Sequence, residues 1–393
     1  MAAAAWGGAA VGATSNRDPL AALLQAAMAM PILVMPMRAG AVEAGEAGLS
    51  VLYYRERGLM KVTEPVGWAR LQLAGGWEVN ASAVVDVVTG ASPQVVSNAS
   101  GTPVQSLTGA SINDRRRGGD LKIAKRIGEV TLAASRTRSD EEDYRSRAYG
   151  LEARWDVNDR LTTLQAGYGK ANDRVRSVVD PTLDERRDTQ DYLLGVTQVL
   201  SPVAVVQSSV QASRGRGWYS DPYKLTLTFY PEGGLPVLVA DSRPDHRESL
   251  AWLTRYRHRY PGTAGTLQAE YRYFRDDWGV RAHALELAWS QDLGSDWALR
   301  PALRYATQSA ASFYSPTVAR PTPALHSSDQ RMGAFGSLSP SLRLSRRYDS
   351  GLVVEGTLGY YHNAAGLRAG GSGSAAFETL RAYYVLASLV HAF

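Results

Sequence analysis

Cysteine is absent from the 393 residues, and histidine occurs only six times. Without cysteine the chain has neither disulfides nor thiolate metal ligands, which suits a protein that crosses an oxidising compartment before it folds. The histidines are spread through the chain, and no two of them stand at the spacing of a metal site. The sequence therefore predicts no metal and no cofactor.

Long apolar runs and a strong charge of one sign are missing from the interior of the chain. Charged residues make up 21% of the sequence, so a bundle of membrane-spanning helices is not expected. The net charge of +5 is small for this length and scattered, so we expect no nucleic-acid partner. The acidic run Asp140-Glu141-Glu142-Asp143 lacks the alternating ligand order of a calcium loop, and we expect it to be a solvated loop.

The amino terminus carries the one extended apolar segment. Residues 20–37 are apolar apart from a glutamine and two prolines, and the triplet Ala39-Gly40-Ala41 follows them. A hydrophobic run that ends in a small-x-small triplet is typical of a secretory signal. The alternative is a single membrane anchor, which the two prolines and the short span argue against. We predict a signal peptide over residues 1–41 and one further domain over residues 42–393.

Two alternating segments between Arg281 and Thr307 flank a tight polar turn. In the first segment one parity is apolar and the other is small or charged: His283, Leu285, Leu287, Trp289 and Leu293 against Ala282, Ala284, Glu286, Ala288, Ser290 and Asp292. The alternation resumes after the turn, with Trp297, Leu299, Leu303 and Tyr305 against Ala298, Arg300, Ala302 and Arg304. Successive side chains of a strand point to opposite faces, so this pattern predicts an antiparallel hairpin with one apolar face.

The same unit recurs almost to the last residue, with short turns at one end and long loops at the other. This asymmetry is typical of an all-β, single transmembrane antiparallel up-and-down β-barrel with short periplasmic turns and long extracellular loops. We count about sixteen strands, and an even number puts both termini on the periplasmic side. The twenty Tyr and nine Trp, against six Phe, favour aromatic residues at the membrane interfaces.

Several loops are expected between these strands. We predict a first strand over residues 49–56, a loop up to Val66, and a charged loop over residues 173–187. The longest loop, residues 217–246, is expected to contain an extra hairpin and to fold over or into the mouth of the barrel.

The last strand ends on Phe393. A terminal aromatic residue on an alternating strand resembles the carboxyl signal that the outer-membrane assembly machinery reads, although His391 departs from the apolar residue that is usual there. We therefore expect outer-membrane lipid and this machinery as partners, and a periplasmic or lipoprotein partner stays open. The expected location is the outer membrane of a Gram-negative bacterium.

Several short motifs resemble one known family. They are Ser220-Asp221-Pro222-Tyr223-Lys224, Arg243-Pro244-Asp245, Tyr271-Arg272-Tyr273, Asp277-Trp278-Gly279, Ala284-Leu285-Glu286-Leu287-Ala288-Trp289 and Leu303-Arg304-Tyr305-Ala306-Thr307-Gln308-Ser309-Ala310-Ala311-Ser312-Phe313-Tyr314. The chain is similar over nearly its whole mature length to the Gram-negative proteins grouped as domain of unknown function 3570. The resemblance implies an outer-membrane barrel without an established activity, and it supplies no catalytic residues.

Strand parity predicts which charged residues face the lumen. The inward cations are expected to be Arg70, Lys122, Arg126, Arg154, Arg255, Arg257, Arg259, Arg272, Arg300, Arg304, Arg331 and Arg343, and the inward acids Glu78, Asp86, Asp120, Glu152, Glu270, Glu286, Asp292 and Glu355. Counting back from the turns, Glu286 falls opposite Arg304 and Glu270 opposite Arg255. The surplus of cations lies in Arg257, Arg259, Arg272 and Arg300. We predict that these four cations line the pore together with the two expected pairs, Glu286 with Arg304 and Glu270 with Arg255.

A cation surplus in a confined aqueous path focuses a positive potential there. We therefore predict a porin-like channel for small solutes with a weak anion preference. A structural or partner-binding barrel with a filled lumen is the first alternative. The second is an outer-membrane hydrolase, in which Asp245-His246 and Asp276-Asp277 would form a site at the outer rim; we predict no enzymatic activity.

Overall fold

The computed structural model describes residues 42–57, 60–90, 93–97, 104–107, 112–294 and 296–393. The signal peptide predicted over residues 1–41 lies outside the described residues and stays a prediction. Within the described residues, no helix has both the length and the apolar character that a membrane crossing requires.

The described residues form 21 strands and three short 3-10 helices. The strands are β1 (Val42–Glu56), β2 (Met60–Leu73), β3 (Trp77–Gly90), β4 (Pro93–Ser97), β5 (Val104–Leu107), β6 (Ile112–Ile127), β7 (Val130–Asp140), β8 (Tyr144–Val157), β9 (Thr162–Arg176), β10 (Asp184–Ser201), β11 (Ala204–Gly217), β12 (Leu225–Phe229), β13 (Val237–Ala240), β14 (His246–Tyr260), β15 (Gly265–Asp276), β16 (Arg281–Gly294), β17 (Trp297–Gln308), β18 (Thr317–Ala319), β19 (Phe335–Arg347), β20 (Leu352–Ala364) and β21 (Leu380–Ala392). The 3-10 helices are Pro261–Thr263, Gln330–Met332 and Ala365–Leu367.

Sixteen of these strands close into one barrel. Each is antiparallel to the next, in the ring order β1, β2, β3, β6, β7, β8, β9, β10, β11, β14, β15, β16, β17, β19, β20, β21 and back to β1. The remaining strands lie in loops, where β13, β12 and β18 form a three-stranded sheet and β4 pairs with β5. The predicted fold class and strand number are confirmed.

The two ends of the barrel differ. At one end, here called the turn end, the strand connections are short, as in the turn at Asn158 and Asp159, where both residues have positive φ. At the other, the loop end, the connections include residues 218–245 and 309–334. The first strand meets the last along its length, with Glu46 opposite Ala392 and Glu56 opposite Ala382. Reciprocal backbone hydrogen bonds between Gly45 and Phe393, 2.7 and 2.9 Å long, complete this seam at the turn end.

Exposure alternates along the barrel strands. On β16 the exposed fractions of Leu285 and Leu287 are 45% and 49%, whereas the neighbouring Ala288 is 4% exposed. The face with large apolar side chains is therefore the outer face, and the small or charged residues line the inside. The predicted register is also confirmed, since Glu286 lies opposite Arg304 and Arg255 opposite Glu270.

Several strand limits differ from the expectation. β2 begins at Met60, so the predicted loop up to Val66 is wrong. β9 and β10 continue through most of the predicted charged loop, which shrinks to residues 177–183. Arg331 lies in a 3-10 helix of the loop end, not on the inner wall of a strand. The extra hairpin in residues 217–246 is present as β12 and β13.

The outer face of β16 supplies a test of this orientation. Leu287→Arg should reduce the yield of folded barrel in lipid bilayers, because a cation near the bilayer midplane costs about 2–4 kcal/mol. Glu286→Ala removes a neighbouring inner side chain and should leave assembly close to that of the wild type. The folded fraction is measured from the gel mobility of unheated samples, and equal yields for the two variants would contradict the facing of β16.

Candidate functional site

The inside of the barrel has two unlike walls. The first, on β7 to β10, is nearly bare, because its inward positions hold mainly small residues, among them Ser135, Gly150, Gly167, Gly169, Ala171 and Gly195. A cavity of about 230 Å³ lies against this wall. Polar side chains border the cavity, including Lys122, Glu152 and Gln211. Small side chains thus leave open space inside this part of the barrel.

The second wall, on β14 to β17, carries the eight residues predicted to line a pore. Arg255 donates from Nε to Glu270 across 2.7 Å. Glu286 lies between two arginines, 3.3 Å from an Nη atom of Arg300 and 3.9 Å from one of Arg304. The structure therefore brings these five residues together in two adjacent ion-pair clusters on four neighbouring strands, β14 to β17.

The other three predicted residues have different surroundings. Arg259 pairs with Asp292 at 2.9 Å near the turn end, where both side chains are about half exposed. Arg272 lies opposite Ala284 on the inner face, and its buried Nε has no hydrogen-bond partner within the described residues. Arg257 shares the inner face of β14 with Arg255. Two of the four surplus cations, Arg259 and Arg300, are thus paired with acids.

The count of inward charges missed part of an acidic region on β1 to β3, since it included Glu78 and Asp86 but not Glu56 and Glu64. Glu64 lies opposite Leu52 on the inner face and contacts Asp86, and Arg116 pairs with Asp86. Nearby, Tyr54 donates a hydrogen bond of 2.9 Å to Glu56. Glu64 was missed because it lies in the segment predicted to be a loop. It shares the inward face of β2 with Val62 and Val66. The inner face therefore carries an acidic side on β1 to β3 as well as a basic side on β14 to β17.

Loops of the loop end join into a folded cap. β12, from the loop between β11 and β14, pairs in parallel with β18 from the loop between β17 and β19. β12 also contacts β4, which lies in the connection between β3 and β6. Six barrel strands, β6 to β11, separate this connection from the one that holds β12. A contact across the ring requires a loop to extend over the opening. The cap, residues 218–245 together with residues 309–334, therefore crosses the mouth.

Contacts to neighbouring loops hold the cap against the rim. The hydroxyl of Tyr223 donates to Asp143 in the loop between β7 and β8, and it accepts a hydrogen bond of 3.1 Å from the backbone N–H of Val178. Asp143 is only 1% exposed, so the expectation of a solvated acidic loop is wrong for this residue. Burial raises the pKa of the Asp143 carboxyl, although the Tyr223 hydrogen bond opposes the shift.

A buried ionic cluster ties the two halves of the cap together. Arg243 lies 2.7 Å from Asp241 and 3.0 Å from Asp329, and Arg331 donates from Nε to Asp329 at 2.8 Å and from Nη2 to Asp221 at 2.7 Å. Burial alone would raise the pKa of Asp329, but the guanidinium groups of Arg331 and Arg243 hold it well below its usual range. Removing one member would leave an unpaired buried charge, which is strongly destabilising.

An apolar cluster anchors the cap to the barrel. Trp278 and Val280, from the connection between β15 and β16, pack with Ala311 and Phe313 of the cap. The indole of Trp278 donates a hydrogen bond of 2.8 Å to the backbone oxygen of His246, where β14 begins. The cap is therefore a packed part of the fold.

The predicted rim site is partly assembled on the outer face. His246 lies 3.0 Å from Asp245 and 3.8 Å from Asp277, and its hydrogen bond holds the pKa of Asp245 below the usual range. Asp276 points inward instead and pairs with Arg247 at 2.6 Å. Two flanking carboxylates favour the cationic imidazole.

No cluster of three or more His, Asp or Glu residues in the described ranges has the geometry to hold a metal ion. In the cap, Asp241 and Asp329 pair with Arg243, and Asp143 accepts a hydrogen bond from the Tyr223 hydroxyl.

Known barrels resemble this structure in fold. CdiB from Acinetobacter baumannii matches with a TM-score of 0.51 and 9% sequence identity, over 89% of this chain and 60% of that chain. A bacterial polysaccharide outer membrane secretin has a TM-score of 0.49 and 9% identity, with 89% and 98% of the two chains covered. OccK8 (OprE) from Pseudomonas aeruginosa has a TM-score of 0.41 and 10% identity, covering 90% and 100%. At such identities the likeness concerns the fold alone.

No curated protein matches the sequence. One family model does match, and it extends over residues 20–384, which include nearly all of the barrel. The motifs that suggested this family lie on β15 to β17 and in the cap, the parts that build the basic wall and cross the mouth. The chain belongs to the family described as Protein of unknown function (DUF3570).

Proposed function

We propose that this protein is an outer-membrane channel for small solutes whose mouth is narrowed by the cap. The main observation behind this proposal is the inner wall on β7 to β10. Its small side chains leave free space beside charged side chains within a closed ring of strands. A ring of sixteen strands has a backbone diameter on the order of 30 Å, which is wide enough for water and small solutes.

The outer face supports the membrane location. Large apolar side chains alternate along the strands and are exposed, for example Leu151 at 64%, Leu194 at 68% and Leu358 at 61%. In water this surface would be costly, whereas lipid accepts it. Backbone groups in the closed ring are paired between strands, as hydrocarbon requires. We assign the loop end to the outside of the cell and the turn end to the periplasm.

The charges inside support only a small ion selectivity. The basic wall on β14 to β17 faces an inner surface that also holds acids on β1 to β3, and many of its arginines are already paired. We assign a weak anion preference to this basic wall, where the buried Nε of Arg272 has no hydrogen-bond partner within the described residues. Screening over about 8 Å at physiological salt keeps this preference modest.

The cap favours one alternative, a structural or partner-binding barrel that does not conduct. The cap crosses the mouth and is fixed by buried ion pairs, so solutes would have to pass between loops. The two functions differ in what removal of the cap does to conductance.

Location is tested first. The full chain expressed in a Gram-negative host should fractionate with the outer membrane and migrate faster on a gel before boiling than after it, because a closed barrel resists detergent until heated. Recovery of the protein in the soluble periplasmic fraction would overturn the proposal.

Selectivity is tested with two arginines of the same strand. Arg272 faces inward on β15 and Arg275 faces outward. Arg272→Gln should shift the reversal potential in a salt gradient toward cation preference, because one positive charge leaves the inner wall. Arg275→Gln removes the same charge from the outer face and should cause no shift. Equal shifts in planar bilayers would show that the inner wall does not set the field.

The cap is tested by deleting residues 225–240. The backbone N–H of Asp241 already donates to the carbonyl of Lys224 at 3.1 Å, so the cut ends can be joined without moving the barrel. We expect a higher single-channel conductance with normal heat-modifiable mobility. Deletion of only residues 232–235, the exposed tip of this hairpin, is the control and should leave conductance unchanged. A barrel that does not conduct even without this hairpin would favour the structural alternative.

A further inference from the structure

Three cations surround Tyr149 on the outer face at the loop end. Arg136 of β7 and Lys170 of β9 are the direct cross-strand neighbours of Tyr149 on its two sides. Arg147 is on the same face of β8, two residues or about 7 Å further toward the loop end. All three side chains are exposed. Within the described part of the chain, none of the three forms an ion pair with a carboxylate.

The next row toward the loops is also basic. Arg138 lies directly opposite Arg147, and Arg145 lies directly opposite Arg174. Like charges in directly opposed positions of an antiparallel pair are destabilising. Asp140 accepts hydrogen bonds from Arg138 and Arg145, and Asp184 pairs with Arg174, so this second row is partly neutralised. Arg147 belongs to this second row. Arg136 and Lys170 have only Leu121, Tyr149 and Gln190 as direct cross-strand neighbours, and none of these is acidic.

Apolar side chains begin immediately on the turn side of these cations. Leu151 is 64% exposed and Leu132 49% exposed on the same outer face, and Tyr168 packs against Tyr192 with ring centroids 5.4 Å apart. Arg136 lies over the ring of Tyr149, 5.7 Å from its centroid. Exposed tyrosines next to apolar side chains mark the level where acyl chains give way to headgroups. The three cations therefore stand at headgroup level.

The outward positions at the loop end are basic on some strands, as at Arg275 of β15 and Arg281 of β16, and uncharged on others. On β17, two residues and four residues beyond Leu303, the outward positions are Tyr305 and Thr307. On the neighbouring β19, the residues paired with them are Leu338 and Gly336.

We propose that Arg136, Arg147 and Lys170 bind the phosphate groups of lipid headgroups in the leaflet around the loop end. Arginine and lysine donate charge-assisted hydrogen bonds to phosphate oxygens, and the neighbouring strands set the three side chains within reach of one headgroup. The acyl chains of the same lipid pack on Leu132 and Leu151. Phosphate supplies the negative charge that the protein lacks at this place. The inference rests on the membrane location proposed above and is independent of conduction.

The site is tested with the full-length barrel purified in detergent and titrated with bis-phosphorylated lipid A in native mass spectrometry. The triple variant Arg136→Gln, Arg147→Gln, Lys170→Gln removes the three charges and keeps polar side chains. It should bind about 100-fold more weakly, from roughly a tenfold loss or less per cation. The control triple Arg160→Gln, Arg346→Gln, Arg347→Gln removes the same charge at the turn end and should bind as the wild type does. Equal losses in both triples would overturn the site.

Further measurements use the wild type alone and so stay informative if a variant fails to fold. Lipid A without its phosphates should bind at least tenfold more weakly than the phosphorylated form, and added salt should weaken only the phosphorylated form. Equal binding of the two lipids would overturn the proposal. Inorganic phosphate at the lipid concentration should not displace the lipid; displacement would mean that the site holds free phosphate. Loss of a dimer signal in the triple variant would instead identify a contact between copies of the chain.

The location can fail independently of the site. If the protein fractionates as a soluble periplasmic protein, the proposed function falls together with the lipid site. If the protein is found in the outer membrane but its binding of lipid A does not depend on the three cations, only the lipid site is overturned.

Discussion

Hydrocarbon offers no partner for a backbone N–H or C=O group, so a chain that crosses a bilayer as strands must pair every strand on both sides. Here the ring of sixteen strands meets that requirement, including the seam between β1 and β21. Pairing fixes the register, and the register decides which side chains face lipid and which face inward. A slip by one residue would bring Glu286 to the lipid and Leu287 to the inside, so the register is strongly determined wherever the alternation is strong.

The limits of sequence-based prediction follow from this alternation. Within the bilayer one face of each strand must be apolar, so the strands around Leu287 and their turns could be predicted. The pairing of Glu286 with Arg304 could be predicted from the same pattern. Beyond the bilayer both faces of a strand meet water and the alternation is lost. β9 and β10 continue through a charged segment for this reason, and it was taken for a loop. Glu64 was missed as an inward acid in the same way, since β2 begins earlier than its apolar pattern indicated.

The cap could not be derived from local patterns. The hairpin of β12 and β13 was predictable from its paired glycines, but its parallel partner β18 is three residues long and lies in a proline-rich segment far along the chain. The ion pair between Arg243 and Asp329 likewise joins positions 86 residues apart. Strand parity predicted that Arg331 faces the lumen. The residues around it give no indication that the strand begins only at Phe335.

The seam has a consequence for the order of folding. Glu46 pairs with Ala392, so the contact that closes the ring joins the two ends of the described chain, whereas most other strand pairs are neighbours in sequence. Contacts of such long range form slowly, because the entropy of closing the intervening loop must be overcome first. Until then β1 and β21 are both free edges, which are templates for pairing with other chains. The final hydrogen bonds between Gly45 and Phe393 thus end a period of vulnerability to aggregation, and a catalyst that holds these two edges would shorten it.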